Sequence, residues 1–225
     1  MSFLPTPDTR HPTGFPFFVL DGIDGSGKST QAVLLAEALE ARGLAVLRVR
    51  DPGGTPLSDR IRALLLDPEN PVAPSTELCL YAAARAQLVH EKIRPALAAG
   101  RIVVSDRFTW STYAYPGAGR GLDAAHIARL EEIACAGLRP AHVFVLDLDP
   151  AARAARIGTR GEVLDRLERE GDAFYARVRE GFLEVAAARA AECTVLDATR
   201  PAAELHEVIL GRVLEILNGK VDGGR

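Results

Sequence analysis

Cysteine is scarce in this chain, three among 225 residues, at Cys79, Cys135 and Cys193. Their spacing fits no metal-ligand pattern, and each lies in an apolar run (ELCLY, EIACAG, AECTVL), so all three are expected to be buried core thiols. No apolar run approaches the roughly 18 residues a membrane helix needs, and the N-terminus lacks a signal-peptide core, which makes the cytoplasm the default compartment. Neither sign of charge dominates. Lys and Arg number 27 against 30 Asp and Glu, a net charge of −3, without the basic footprint of a nucleic-acid binder. Histidine is sparse and dispersed (His11, His90, His126, His142, His206), and no Ser/His/Asp or Cys/His set for nucleophilic catalysis stands out. What remains, 48% apolar and 25% charged residues, is the composition of a soluble domain large enough for a sizeable core.

Against these absences stands one dense signal, Asp21-Gly22-Ile23-Asp24-Gly25-Ser26-Gly27-Lys28-Ser29-Thr30, which matches G-x-x-x-x-G-K-[ST] from Gly22 to Ser29. The glycines let the backbone curl so that successive N–H groups point at phosphate oxygens. Lys28 brings a flexible cation to the outer phosphates, and the Ser29 hydroxyl can complete a Mg²⁺ shell. An apolar run, Phe17–Leu20, precedes the loop, and Gln31–Arg42 (QAVLLAEALEAR) reads as an amphipathic helix ending at Gly43. The segment therefore implies a nucleoside triphosphate site.

Alternation of strand and helix patterns continues to the end. Strands are expected at 17–21, 45–49, 101–105, 142–147 and 194–197, and helices at 31–42, 57–66, 75–99, 124–136, 174–191 and 202–217. Five apolar strands separated by helices predict an α/β fold with a parallel sheet covered on both faces. Residues 1–16, with four prolines, read as a disordered leader, 17–218 as one domain, and 219–225 as a flexible tail.

Ligands of such sheets bind beyond the carboxyl ends of the strands, which singles out the residues following each one. Asp106-Arg107 ends RIVVS, where a Mg²⁺-organising carboxylate and a phosphate-clamping arginine belong; a surface ion pair is the alternative. Asp147 and Asp149 compete for the metal role, although Asp149 before Pro150 suits a helix cap equally. Between 153 and 169 lie Arg153, Arg156, Arg160, Arg166 and Arg169, interrupted by Gly158 and Gly161. Such a segment reads either as a mobile loop closing cations over a transferred phosphoryl group, or as a solvated face with Glu162, Asp165, Glu168 and Glu170 interleaved. Tyr81 and Arg85 share one helical face, as a base-stacking ring and base-reading guanidinium or as core and surface; Arg60 and Arg62 are equally ambiguous.

Five blocks, FFVLDGIDGSGKSTQ, RDPGGTPLSDRIRALLL, ELCLYAAARAQLVHEKIRPAL, SDRFTWSTYAYPGAGRGLD and RGEVLDRLEREGDAFYARVREGFLEVA, resemble in order and spacing the landmarks of bacterial thymidylate kinases. The resemblance covers about residues 16–217. It implies a three-layer P-loop kinase fold with a five-stranded parallel sheet flanked by helices and a mobile lid near 153–170. It also implies a homodimer and the transfer of a phosphoryl group from ATP, with Mg²⁺, to dTMP. Carried over position by position, Gly22, Ile23, Asp24, Gly25, Ser26, Gly27, Lys28, Ser29 and Thr30 would hold ATP, and Ser29 with Asp106 the metal. Asp24 matches the carboxylate that reaches the acceptor's 3′-hydroxyl. Tyr81 matches the ring that stacks on thymine and Arg85 the reader of a base carbonyl. Ser111 and Thr112 match polar acceptor-site positions, Thr112 near the imide edge. Tyr115 matches the tyrosine under the sugar, Pro52 and Leu57 the pocket lining, and Arg107 the acceptor-phosphate clamp. Asp197-Ala198 resembles the turn bordering adenine.

Some relatives carry an arginine where this chain has Gly25, so the catalytic cations are expected in the lid at Arg153, Arg156 and Arg160, beside Lys28 and Arg107. Asp21 stands where glutamate is common, and Pro116 where glutamine is common. A dTMP phosphate oxygen is already ionised, so no general base is required. A nucleoside kinase, by contrast, must deprotonate a hydroxyl and would recruit Asp51 or Asp106. A GTP switch would need N-K-x-D, which neither Asn70 nor Asn218 begins.

Overall fold

A computed structural model describes residues 17–158 and 164–221. The strands are β1 (Phe17–Asp21), β2 (Val46–Arg50), β3 (Ile102–Asp106), β4 (His142–Asp147) and β5 (Cys193–Asp197). They form one parallel sheet in the order β2-β3-β1-β4-β5. Position in the sheet explains the residue patterns. Central β1 and β3 are buried along their whole length and open on apolar runs, Phe17–Leu20 and Ile102–Val104, whereas edge strand β2 buries Val46 and Val49 and exposes Arg48 and Arg50.

After β1 the chain runs to the edge strand β2, returns to β3 between β2 and β1, and then crosses to β4 on the other side. The order of strands thus reverses beside β1, where the phosphate-type loop emerges.

Helices are α1 (Lys28–Glu40), α2 (Pro56–Leu66), α3 (Pro74–Leu88), α4 (Arg94–Ala98), α5 (Thr109–Thr112), α6 (Ala124–Cys135), α7 (Pro150–Gly158), α8 (Asp172–Ala188) and α9 (Ala202–Val221). Three departures from the sequence pattern have local causes. The expected single helix 75–99 is divided by a wide π-type turn at Val89–Ile93, because Pro95 can neither donate to the ladder nor tolerate a close carbonyl one turn earlier. The Pro- and Gly-rich stretch Tyr113–Gly119, to which the sequence pattern assigns no element, is helical, fixed by close packing on α8. A Cβ on Gly181 would fall 2.6 Å from Ala118 Cβ, and one on Gly119 2.6 Å from the Phe174 ring. Residues 150–158 form a helix, with the Asp149 carboxylate accepting from Ala152 N at 2.9 Å, so Arg153 and Arg156 ride on regular structure.

The thiols also differ from expectation. Cys135 is buried and Cys193 half-buried, but Cys79 is exposed, since α3 turns Leu78, Tyr81, Arg85 and Leu88 inward and Cys79 away. The expected leader, residues 159–163 with Arg160, and residues 222–225 lie outside the described residues.

Candidate active site

Phe17–Leu20 bury β1 in the sheet, and the chain must then turn sharply into α1. Gly22 takes φ 135°, and a Cβ there would come within 2.4 Å of Leu146 O, so only glycine fits. Gly27 caps α1 at φ 95° with no side chain on the free helical N–H groups, which stay available to an anion. Lys28, 5% exposed, donates to Ile23 O at 2.7 Å. Burial and the Arg107 charge lower its ammonium pKa to about 8, against the opposing pull of Asp24, Asp106 and Asp21.

The Ser29 hydroxyl donates to Asp106 Oδ2 at 2.5 Å, joining the loop to the tip of β3. The other two acids drawn to the metal role are engaged elsewhere. Asp147 is gripped bidentately by Arg179 at 2.6 and 2.8 Å, and Asp149 caps α7. A polar cavity opens over the loop, lined by Asp24, Lys28, Ser29, Asp106 and Arg107 with Arg50, Arg62, Asp165 and Glu168 opposite.

Arg107 sits at φ 70°, a strained conformation for a residue with a side chain, pinned by its N–H to Leu20 O at 2.9 Å. The strain aims the guanidinium back across β1. One nitrogen donates to Gly22 O (2.7 Å) and Ser111 Oγ (3.0 Å), the other to Asp24 Oδ1 (2.6 Å) and Tyr115 Oη (2.9 Å). Tyr115 in turn donates to Asp24 Oδ2 at 2.8 Å. Burial pushes the Asp24 carboxyl pKa up, but Arg107 and Lys28 more than offset this and hold it well below the ordinary range. Beneath them Asp21, fully buried, accepts from Ser111 Oγ at 2.6 Å; its pKa is raised by desolvation despite Arg107.

A second cluster lies deeper. Arg85, 1% exposed, donates to Asp51 (2.5 Å), Thr112 Oγ1 (2.7 Å), Phe108 O (3.1 Å) and Glu131. Burial works against its charge, and the two carboxylates preserve it. Asp51 is raised to about 6, chiefly by desolvation. Tyr81 is buried on the same helix face, and Pro52 is buried after the cis Asp51–Pro52 bond, while Leu57 is 48% exposed.

Of the arginines expected in a lid, Arg156 bridges Gly25 O (3.1 Å) and Ala198 O (2.7 Å), tying the loop to the turn after β5. Arg153 is buried with its guanidinium 3.3 Å over the Tyr175 ring.

The fold brings Lys28, Ser29, Asp24, Asp106, Arg107, Ser111 and Tyr115, expected at the site from the sequence, into one neighbourhood. Sequence reasoning passed over Glu131 and Tyr175, which lie in ordinary amphipathic helices and carry no local signal. Arg62, Asp165 and Glu168 had a charge pattern but no sign of which way they face.

A parallel α/β sheet with this loop at its strand-order reversal, and a serine–carboxylate pair beside the loop lysine, defines a P-loop phosphotransferase fold. The family model described as thymidylate kinase matches residues 20–209, and the chain belongs to that enzyme family. It is 50% identical over 194 residues to the thymidylate kinase of Pseudomonas fluorescens (strain SBW25), covering 86% of this chain and 92% of that one. It is 46% identical over 199 residues to that of Deinococcus radiodurans, covering 88% and 96%. The crystal structure of thymidylate kinase from Ehrlichia chaffeensis superimposes with a TM-score of 0.71 at 32% identity, covering 89% of this chain and 99% of that one.

Proposed function

We propose that the enzyme phosphorylates dTMP to dTDP, taking the γ-phosphoryl group of ATP in an in-line transfer with Mg²⁺. The observation that carries this reading is the position of Arg107. It faces the same cavity as Lys28 yet is anchored through Asp24 and Tyr115, so one cavity holds a donor cation and an acceptor cation side by side. Ligand phosphates would replace water around Lys28 and the open end of α1. The acceptor phosphate would compete with Asp24 for the Arg107 hydrogens, leaving Asp24 Oδ1 for the sugar 3′-hydroxyl.

Tyr81, Arg85 and Thr112 form the base end and Tyr115 the floor under the sugar. Arg85 spends four of its five N–H bonds on protein partners, so any base carbonyl meets a fork already fixed in place. Ser29 and Asp106 supply hard oxygen donors at the cavity wall, which fits Mg²⁺ with its retained waters, and the two would hold it there. When bound, the ion supplies charge neutralisation on the β- and γ-oxygens. Lys28, Arg107 and the arginines Arg156 and Arg160 would stabilise the charge that spreads over the transferred group, with Arg156 the best placed over Gly25. Arg153, expected among them, is instead buried against the Tyr175 ring and does not line the cavity.

A homodimer is part of the same proposal. Leu57 and Leu64 on α2 and Ile133 on α6 leave apolar surface for it. Among the described residues no helix is long and apolar enough to cross a membrane, and the proposed compartment is the cytoplasm.

The test offers dTMP, dUMP, UMP, dCMP and thymidine in parallel with ATP and Mg²⁺. Turnover should be greatest with dTMP and negligible with thymidine; preference for any other acceptor refutes the assignment.

A further inference from the structure

Tyr175 belongs to no part of the mechanism above, yet it is fully buried against the site. It lies near the start of α8, and its hydroxyl stands 3.1 Å from Asp24 Oδ2 and 3.0 Å from Leu167 O. A phenol has a single hydrogen, so the two acceptors share one donor. Leu167 O alone would satisfy a buried hydroxyl; the contact with Asp24 is additional.

The ring is fixed on several sides. Arg153 stacks 3.3 Å from its centroid, Phe174 meets it at 5.5 Å and 89°, and Tyr115 at 6.4 Å and 90°. Arg153 gives up solvent for this position, and its Nε is buried with no hydrogen-bond partner. The stack on the ring, more than hydrogen bonding at Nε, accounts for its placement.

Asp24 needs outside support, since it lies in a loop between Gly22 and Gly25, both at positive φ. Its two oxygens are treated differently. Oδ1 takes Arg107, while Oδ2 takes Tyr115 at 2.8 Å and Tyr175 at 3.1 Å. Two phenols on one oxygen oppose the rotation that would exchange the pair.

We propose that Tyr175 is a positioning residue for the acceptor sugar, holding Asp24 Oδ2 so that Oδ1 faces the 3′-hydroxyl, and that Arg153 of α7 acts on the site through this ring. The proposal rests on the reading that Asp24 meets the 3′-hydroxyl.

The experiment measures kcat and KM for dTMP and for its 3′-deoxy analogue in the wild type and in Tyr175→Phe, which keeps the ring and its stack. One weakened hydrogen-bond arrangement predicts a loss in kcat/KM for dTMP of about five- to tenfold, with less than about a twofold change for the 3′-deoxy analogue. The preference for dTMP should collapse while the KM for ATP and the melting curve stay in place. Tyr115→Phe, removing the other phenol, should erode the same preference and gives an independent reading should the first variant fold poorly. Equal losses on both acceptors, or an undiminished preference in Tyr175→Phe, overturn the proposal. A wild type indifferent to the 3′-hydroxyl instead overturns the assignment of Asp24, and the proposal falls with it.

Discussion

Lys28 offers a titration that reads the proposed donor site without mutating it. Its ammonium is 5% exposed, and desolvation together with Arg107 lowers its pKa from the ordinary 10.5 to about 8. Above pH 8 the lysine of the ligand-free protein is therefore mostly neutral. A triphosphate placed against it adds negative charge and restores the proton; ATP itself is largely ionised at pH 7 and fully so above pH 8. Binding at pH 9 should take up about 0.9 proton, and ATP affinity should fall about tenfold between pH 7 and pH 9.

The folding linkage has the opposite sign. The folded value lies below the unfolded one, so between pH 8 and 10.5 the folded protein binds fewer protons. Stability of the ligand-free enzyme from this group therefore rises with pH across that window, by about 3 kcal/mol for the 2.5-unit gap. Titration calorimetry in buffers of differing ionisation enthalpy measures the uptake directly. Lys28→Arg, which stays charged at every pH, is the control. The reasoning is refuted if the wild type takes up no proton at pH 9, or if Lys28→Arg takes up the same amount.

Three further outcomes are expected. Arg107→Ala should lower kcat/KM by about 100-fold or more with an unchanged far-UV circular dichroism spectrum, because it removes the cavity cation proposed to bind the acceptor phosphate; near-normal turnover would sink the assignment. Gly181→Ala drives a Cβ to 2.6 Å from Ala118 Cβ and 3.2 Å from Ala114 Cα, and should cost about 1–3 kcal/mol, a fall of roughly 3–10 °C in melting temperature by calorimetry. Asp51 has a folded pKa of about 6, above its ordinary 3.8, so its contribution to stability is present at low pH and is lost as pH rises through this window. Denaturant titrations should show that loss, about 3 kcal/mol, in the wild type and not in Asp51→Asn.

The fold was legible because its signals are local and repeated. Buried central strands must be apolar throughout, helices need one apolar stripe, and the two periods alternate down the chain. The helical run Thr109–Gly119 escaped notice because YPGAG has turn composition, and only the closeness of α8 makes small residues there an asset. The candidate site was half legible. Gly22, Gly27, Lys28 and Ser29 announce themselves because a backbone turned this sharply, with glycines at positive φ, tolerates few alternatives.

The sequence alone thus determined the loop, the strand that presents it and the family to which the chain belongs, since each depends on residues adjacent in the chain. Tertiary structure decided which acid meets Ser29, separating Asp106 from the engaged Asp147 and Asp149. It also set Arg85 between Asp51 and Glu131, and brought Tyr175 to Asp24 across 151 positions. Those choices depend on how helices rotate and pack over the sheet, a relation between distant segments that no local spacing encodes.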